Sequence, residues 1–189
     1  MSKILVDTID TRSGTSTLTL GSSNAGTIAL GSGDVQSNML YPAFEAYRSS
    51  NQTPSNNTLT KVQFNTEILD TDSCYDNSTN HRFTPTKAGK YFVYAQIRID
   101  AESITDLREC RLDIYKNGSV FKNASINFGS TNAIDNACVL VNGVLDMNGS
   151  SDYLEIFGYG SASAQPTFLG SSTDKATYFG AYRIGTWAY

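Results

Sequence analysis

Apolar and polar side chains alternate along residues 90–99, and this pattern constrains the fold of the chain more than any other feature. One side of the alternation carries Tyr91, Val93, Ala95, Ile97 and Ile99. A period of two predicts a β-strand with one face buried in a core. No segment of the chain shows a helical period, so the sequence predicts an all-β protein.

Further strand segments follow at short, regular intervals after residue 39. They are residues 61–68, 83–85, 111–115, 120–121, 138–141, 153–157 and 176–184. Asn117-Gly118 joins two of them, and this dipeptide is a strong signal for a β-hairpin. About eight to ten short strands predict a jelly-roll β-sandwich over residues 39–189, which we call the head.

The first 38 residues differ from the head because residues 2–38 contain neither an aromatic residue nor proline. Residues 17–22 and 27–32 form a repeat, with apolar pairs at Leu18 and Leu20 and at Ile28 and Leu30. Such short strands cannot build a core within one chain. We expect an anchoring tail and an intertwined β-repeat stalk in a homotrimer; the alternative is a flexible Gly/Ser/Thr linker.

Aromatic side chains also occur at positions that alternate with the core. Phe92 and Tyr94 lie between core positions of one strand, and Tyr153 and Phe157 flank another. Because solvent-facing positions seldom carry successive aromatic residues, we expect these four residues to lie in the trimer interface of the head. The alternative is that a long loop of the same subunit covers them.

Charge and composition exclude some classes of partner. The 189 residues carry 14 Lys and Arg against 18 Asp and Glu, a net charge of −4, which argues against nucleic-acid binding. No apolar run is long enough to span a membrane, so we expect no membrane insertion. Cys74, Cys110 and Cys138 are widely spaced, and we expect free thiols.

No group of residues indicates catalysis, and we expect neither an enzyme nor a cofactor or resident metal. His81 is the only histidine, beside a polar loop. Asp70, Asp72 and Asp76 could ligate calcium, but they lack the closing Glu of a calcium loop, and we favour a solvated acidic turn. A glycan hydrolase would need paired carboxylates, and spacing gives no reason to choose among the candidates. These candidates are Glu102, Asp106 and Glu109.

Several segments, in this order, resemble landmarks of the globular head of the first complement component. They are residues 42–46, 62–65, 75–76, 83–85, 88–94, 112–118, 145–154 and 177–182. The resemblance implies the jelly roll shared with tumour necrosis factor, which assembles as a trimer. That family has a collagen-like stalk and a secretion signal, neither of which is found in this sequence.

Residues 4–10 and the Leu-x-Leu-Gly-Ser repeat instead resemble the anchor and stalk of bacteriophage tail-fibre proteins. The resemblance implies a trimeric adhesion protein that attaches to a virion protein through residues 1–15. We expect it to be made in the host cytoplasm and released by lysis. The alternative is a decoration protein of the capsid or tail; a secreted complement-like ligand and a glycan hydrolase are less favoured.

Polar loops of the head are the candidates for contact with a host-surface glycan or protein. They span residues 49–60, 71–80, 123–136 and 161–172, and loops on a rigid sandwich commonly carry binding residues. The candidate receptor residues are Asn56, Asn57, Asp76, Asn77, Asn127 and Asn132.

Overall fold

The structure is a computed structural model that describes residues 42–101, 106–131 and 133–185. The predicted stalk, the division between residues 38 and 39, and Asn132 lie outside the described residues. Within them the chain forms twelve β-strands. The strands are β1 (Ala43–Tyr47), β2 (Thr60–Lys61), β3 (Thr66–Asp70), β4 (Tyr75–Asp76), β5 (Arg82–Phe83), β6 (Gly89–Asp100), β7 (Glu109–Lys116), β8 (Ser119–Asn127), β9 (Asn136–Met147), β10 (Leu154–Ser161), β11 (Thr167–Phe168) and β12 (Tyr178–Gly185).

The strands form two antiparallel sheets. Sheet one has the order β3-β1-β12-β6-β9, with β11 paired to the end of β6. Sheet two has the order β4-β5-β10-β7-β8, with β2 also paired to β10. The prediction of an all-β jelly-roll sandwich is therefore confirmed. The described residues contain no helix that is long and apolar enough to cross a membrane.

The inner faces of the two sheets enclose one hydrophobic core. The predicted inward positions of β6, from Tyr91 to Ile99, have no exposed surface. Phe44 of β1 links the sheets because its ring lies 4.7 Å from Phe179 of β12 and 4.4 Å from Phe83 of β5. The same ring stacks on Tyr75 of β4 at 4.8 Å.

The predicted hairpin and the free thiols agree with the structure. Asn117 and Gly118 join β7 to β8 with φ angles of 52° and 78°, as a type I′ turn requires at both central positions. Cys74 and Cys110 are buried thiols, and Cys138 is an exposed one.

The predicted single strand over residues 61–68 is wrong. Lys61 ends β2 in sheet two, whereas Thr66 begins β3 in sheet one. Between them, the amide of Val62 donates to Ile156 of β10, and the amide of Asn65 donates to Tyr47 of β1. This segment crosses from one sheet to the other, so Val62 and Phe64 are both buried without belonging to a strand.

Candidate functional site

Four aromatic rings form a continuous cluster on the outer face of sheet one. They belong to Phe92 and Tyr94 of β6 and to Tyr178 and Tyr182 of β12, and we call them the aromatic face. Tyr182 pairs with Phe92 across the strands, and Tyr178 pairs with Gln96. Neighbouring ring centroids lie 5.6 to 6.4 Å apart. Each ring is only partly buried, so the cluster presents apolar surface to the outside of the sandwich.

Gly180 allows the centre of the aromatic face to lie flat on the sheet. This glycine pairs with Tyr94, and a Cβ atom at position 180 would lie 2.4 Å from Cζ and Oη of that tyrosine. The Tyr94 hydroxyl donates to Oε2 of Glu45 at 2.6 Å. Burial, and then the Glu45 carboxylate, raise the pKa of Tyr94. The tyrosine is therefore a neutral hydrogen-bond donor at physiological pH.

Aliphatic side chains extend the aromatic face on both sides. Ile68 and Leu69 of β3 are 51% and 49% exposed, and Leu140 and Val144 of β9 are 47% and 48% exposed. Val144 lies opposite Phe92 in the ladder. A depression of about 340 Å³ separates β3 from the rings. Its lining residues are Ala43, Phe44, Glu45, Ile68, Leu69, Tyr94, Ala181 and Tyr182.

The other two predicted interface residues lie on the opposite side of the sandwich. Phe157 of β10 packs on Tyr115 of β7 with ring centroids 4.3 Å apart, on the outer face of sheet two. The guanidinium of Arg82 lies 4.7 Å from the ring centre of Tyr153. The structure thus separates the four predicted residues into two pairs, and only Phe92 and Tyr94 belong to the aromatic face.

Residues 49–60 and 161–172 meet at one end of the sandwich. Asn56 fastens them together, since its Nδ2 donates to the carbonyl of Ala162 and its Oδ1 accepts from the amide of Ala162. Gln52 and Phe168 exchange backbone hydrogen bonds nearby. The side chain of Asn56 is therefore engaged within the head, whereas Asn57 is exposed beside it.

Arg48 holds the start of the first loop through backbone atoms. The residue is buried, and its guanidinium donates to the carbonyl oxygens of Ser50, Asn51 and Gln63. No carboxylate takes part in these bonds. Arg48 therefore fixes the entry of the loop through main-chain oxygens, and the side chains of Asn51 and Gln52 make further hydrogen bonds with backbone atoms of residues 170, 61 and 63.

Asp76 has a structural role in its turn. Its carboxylate accepts hydrogen bonds from the backbone amides of Ser78, Thr79 and Asn80 and from the side chains of Ser78 and Asn80. The amides of Thr79 and Ser78 make the largest contributions to lowering the pKa of this carboxyl group. Five bonds within the turn leave little of this carboxylate for a receptor.

Replacing Asp76 with Ala should lower the free energy of unfolding by about 1 kcal/mol at pH 7, since the turn loses its acceptor. A lowered folded pKa means that ionised Asp76 stabilises the fold above about pH 4, and that this contribution is lost as the pH falls further. The difference between variant and wild type should therefore narrow at pH 3. Urea unfolding at fixed protomer concentration measures this difference in the free energy of unfolding, with replacement of the exposed Asp174 by Ala as the control. An equal loss of unfolding free energy at pH 7 and pH 3 would contradict the structural role of the Asp76 carboxylate.

The remaining candidate residues have differing surroundings. Asn77 is half-buried, and the side chain of Asn127 accepts a hydrogen bond from the amide of Gly129. Asp70 accepts from the amides of Cys74 and Tyr75. Within residues 42–101, 106–131 and 133–185, no group of three His, Cys, Asp or Glu side chains could hold a metal ion. His81 is half-buried rather than solvated, and burial lowers its pKa.

Several solved structures share this strand arrangement. Eiger TNF from S. frugiperda has a TM-score of 0.60 at 11% identity, covering 79% of this chain and 96% of its own. The head has a tumour necrosis factor-like jelly roll. Murine APRIL, solved at pH 5.0 and pH 8.0, has TM-scores of 0.51 and 0.52 at 12% identity, covering 75% of this chain and 98% of its own. The sequence matches no protein-family profile and no curated protein.

Sequence reasoning missed half of the aromatic face of this jelly roll. Tyr178 and Tyr182 alternate with Phe179 and Ala181, the latter two of which are buried. The same period of two that identified Phe92 and Tyr94 would have placed both tyrosines on the outer face. The alternation does not show that β6 and β12 are neighbours in the sheet, because residues 101–177 separate the two strands in the sequence.

Proposed function

We propose that this chain is a homotrimeric adhesion protein of a phage virion. The aromatic face is the main observation that supports a trimer. Its four rings and the flanking Ile68, Leu69, Leu140 and Val144 lie outside a sheet whose inner face already fills the core. Contiguous exposed apolar surface of this kind is typical of subunit interfaces, where aromatic residues supply contact area and their hydroxyls find polar partners.

The subunit number comes from the resemblance to the complement head, which implies the trimer of tumour necrosis factor-like jelly rolls. Edge strand β8 also carries exposed apolar side chains, at Val120, Phe121 and Ile126. They do not share one face, since Val120 pairs with the outward-facing Tyr115 and Ile126 pairs with the buried Cys110.

The mass of the full chain in solution tests the assembly. At micromolar concentration we expect the mass of three chains. Replacing Leu18, Leu20, Ile28 and Leu30 with serine should leave a trimer that is held together by the heads. Tyr182→Arg alone should leave a trimer that is held together by the stalk. Combining both changes should give monomers, because a charge then lies in the remaining apolar interface.

Tyr153→Arg in the same serine background is the matched control. It should remain trimeric, because Tyr153 lies on the outer face of sheet two. A monomeric wild-type protein would overturn the trimer. Dissociation of the Tyr153 variant, with Tyr182→Arg in the serine background still trimeric, would place the head interface on sheet two instead of sheet one.

The virion role rests on the resemblance of residues 4–10 and the repeat to phage anchors and stalks. In this proposal residues 1–15 bind a virion protein, and the head contacts the host surface without catalysing a reaction. Immunolabelled micrographs of the particle should place the chain on a tail fibre or similar appendage. Labelled trimer should bind host cells, whereas a decoration protein should not.

A further inference from the structure

A polar groove lies on the outer face of sheet two, away from the aromatic face. Its volume is about 350 Å³, and Asn57, Leu59, Glu109, Arg111 and Tyr159 line it. Tyr159 pairs directly with Arg111 across β10 and β7. The groove therefore places an aromatic ring beside a guanidinium, a carboxylate and an amide.

The ladder extends the groove with further polar residues. Arg111 pairs with Ser125 of β8, and Glu109 pairs with Asn127. Paired residues of adjacent strands project from the same face of a sheet. Ser125 and Asn127 are both exposed. Hydroxyl and amide groups thus continue the groove across β8, including one of the asparagines predicted to contact a receptor.

Three side chains of the groove are held in place before a ligand arrives. Nε and Nη2 of Arg111 each donate to the carboxylate of Asp113 at 2.6 Å, and Asp113 is fully buried. The hydroxyl of Tyr159 donates to Oδ1 of Asn57 at 3.3 Å. The amide of Asn57 donates to the carbonyl of Gly160 at 3.1 Å. A groove with fixed side chains loses little conformational entropy when a ligand binds.

The charges of the groove determine which ligands it suits. Asp113 neutralises Arg111 through the two-bond pair, so the Glu109 carboxylate leaves the groove with a negative charge. Negative charge disfavours phosphates, uronic acids and other anions. Carboxylate and amide oxygens accept hydrogen bonds from hydroxyl groups, guanidinium and amide N–H groups donate to them, and the Tyr159 ring offers an apolar surface.

We propose that this groove binds an uncharged oligosaccharide of the host surface. Sugar hydroxyls bond to Glu109, Arg111 and Asn57, and the carbon face of a sugar ring packs on Tyr159. The inference rests on the proposed adhesion function and names its ligand class and its site. Because the groove lies opposite the aromatic face, a trimer presents three copies to the outside, and a multivalent glycan gains avidity.

Titration of the full-length trimer with uncharged and acidic oligosaccharides tests the proposal. The probes are gluco-, galacto-, manno- and N-acetylglucosamine oligomers, host polysaccharide, and uronic-acid or sialylated counterparts. We expect an uncharged probe to bind. Tyr159→Ala and Glu109→Gln should each weaken its binding about tenfold or more. Tyr159→Phe, which keeps the ring, should weaken it less, and Asp174→Asn serves as the matched carboxylate control.

The possible results distinguish failure of the glycan-binding groove from failure of the proposed host attachment. Stronger binding of acidic probes, or unchanged binding by the folded Tyr159 and Glu109 variants, would overturn the assignment of the groove. Binding of the trimer to host cells without binding of any oligosaccharide would reject the glycan inference and leave host attachment intact. A trimer that binds neither cells nor oligosaccharides would reject host attachment itself.

Discussion

Replacing Phe44 with Ala should lower the free energy of unfolding by about 3–5 kcal/mol, the range for removal of a fully buried phenylalanine. The ring contacts Tyr75, Phe83 and Phe179 with centroid distances of 4.4 to 4.8 Å. These partners belong to both sheets. The substitution therefore leaves a cavity at the point where the two layers are joined, and aromatic pair interactions are lost in addition to buried area.

Urea unfolding measures this loss at a fixed protomer concentration, since the stability of an oligomer depends on concentration. Phe44→Leu is the graded control. It keeps most of the volume and should cost about 1.5 kcal/mol or less. A loss below about 1 kcal/mol for Phe44→Ala would mean that the sheets do not depend on this ring.

Replacing Gly180 with Ala should lower the free energy of unfolding by about 1–3 kcal/mol, because the new methyl group collides with the ring of Tyr94. Displacement of that ring should also weaken the trimer. In a Tyr94→Ala background the collision is absent. Gly180→Ala should then be neutral or slightly stabilising, because alanine restricts the unfolded chain more than glycine does.

The double-mutant cycle isolates this contact. Its coupling energy should exceed about 1 kcal/mol, as for other residues in direct contact. Gly185→Ala in the same strand is the matched control, since a Cβ atom there meets nothing within 4 Å, and it should change stability by about 0.5 kcal/mol or less. Equal losses with and without the Tyr94 ring would show that backbone effects, rather than the ring, explain the cost at position 180.

The features that were predictable from the sequence are local. The period of two in β6 assigned Tyr91 to the core and Phe92 to the outside, because successive side chains of a strand point to opposite faces. The Asn117-Gly118 turn was predictable because few dipeptides tolerate two successive positive φ angles. The class of fold follows from many such segments with turns between them.

The features that were not predictable depend on which strands become neighbours. Phe92 and Phe157 show the same alternation, yet they lie on opposite sides of the sandwich, since their strands belong to different sheets. Asp76 lies in a loop whose composition is typical of a receptor-binding loop, but its carboxylate accepts hydrogen bonds from its own turn. The groove beside Tyr159 combines β7, β8, β10 and Asn57, a combination that arises only once the ladder is formed.

The hydrogen bonds of Arg48 make the backbone path at one end of the head independent of some of the side chains found there. They are made to main-chain oxygens, which residues of every type possess, so replacing the side chains of residues 50, 51 and 63 leaves these acceptors available. Such an arrangement lets the exposed side chains of Ser50 and Gln63 be diversified while the chain path around Arg48 stays fixed, which is the property sought in frameworks for combinatorial binder libraries.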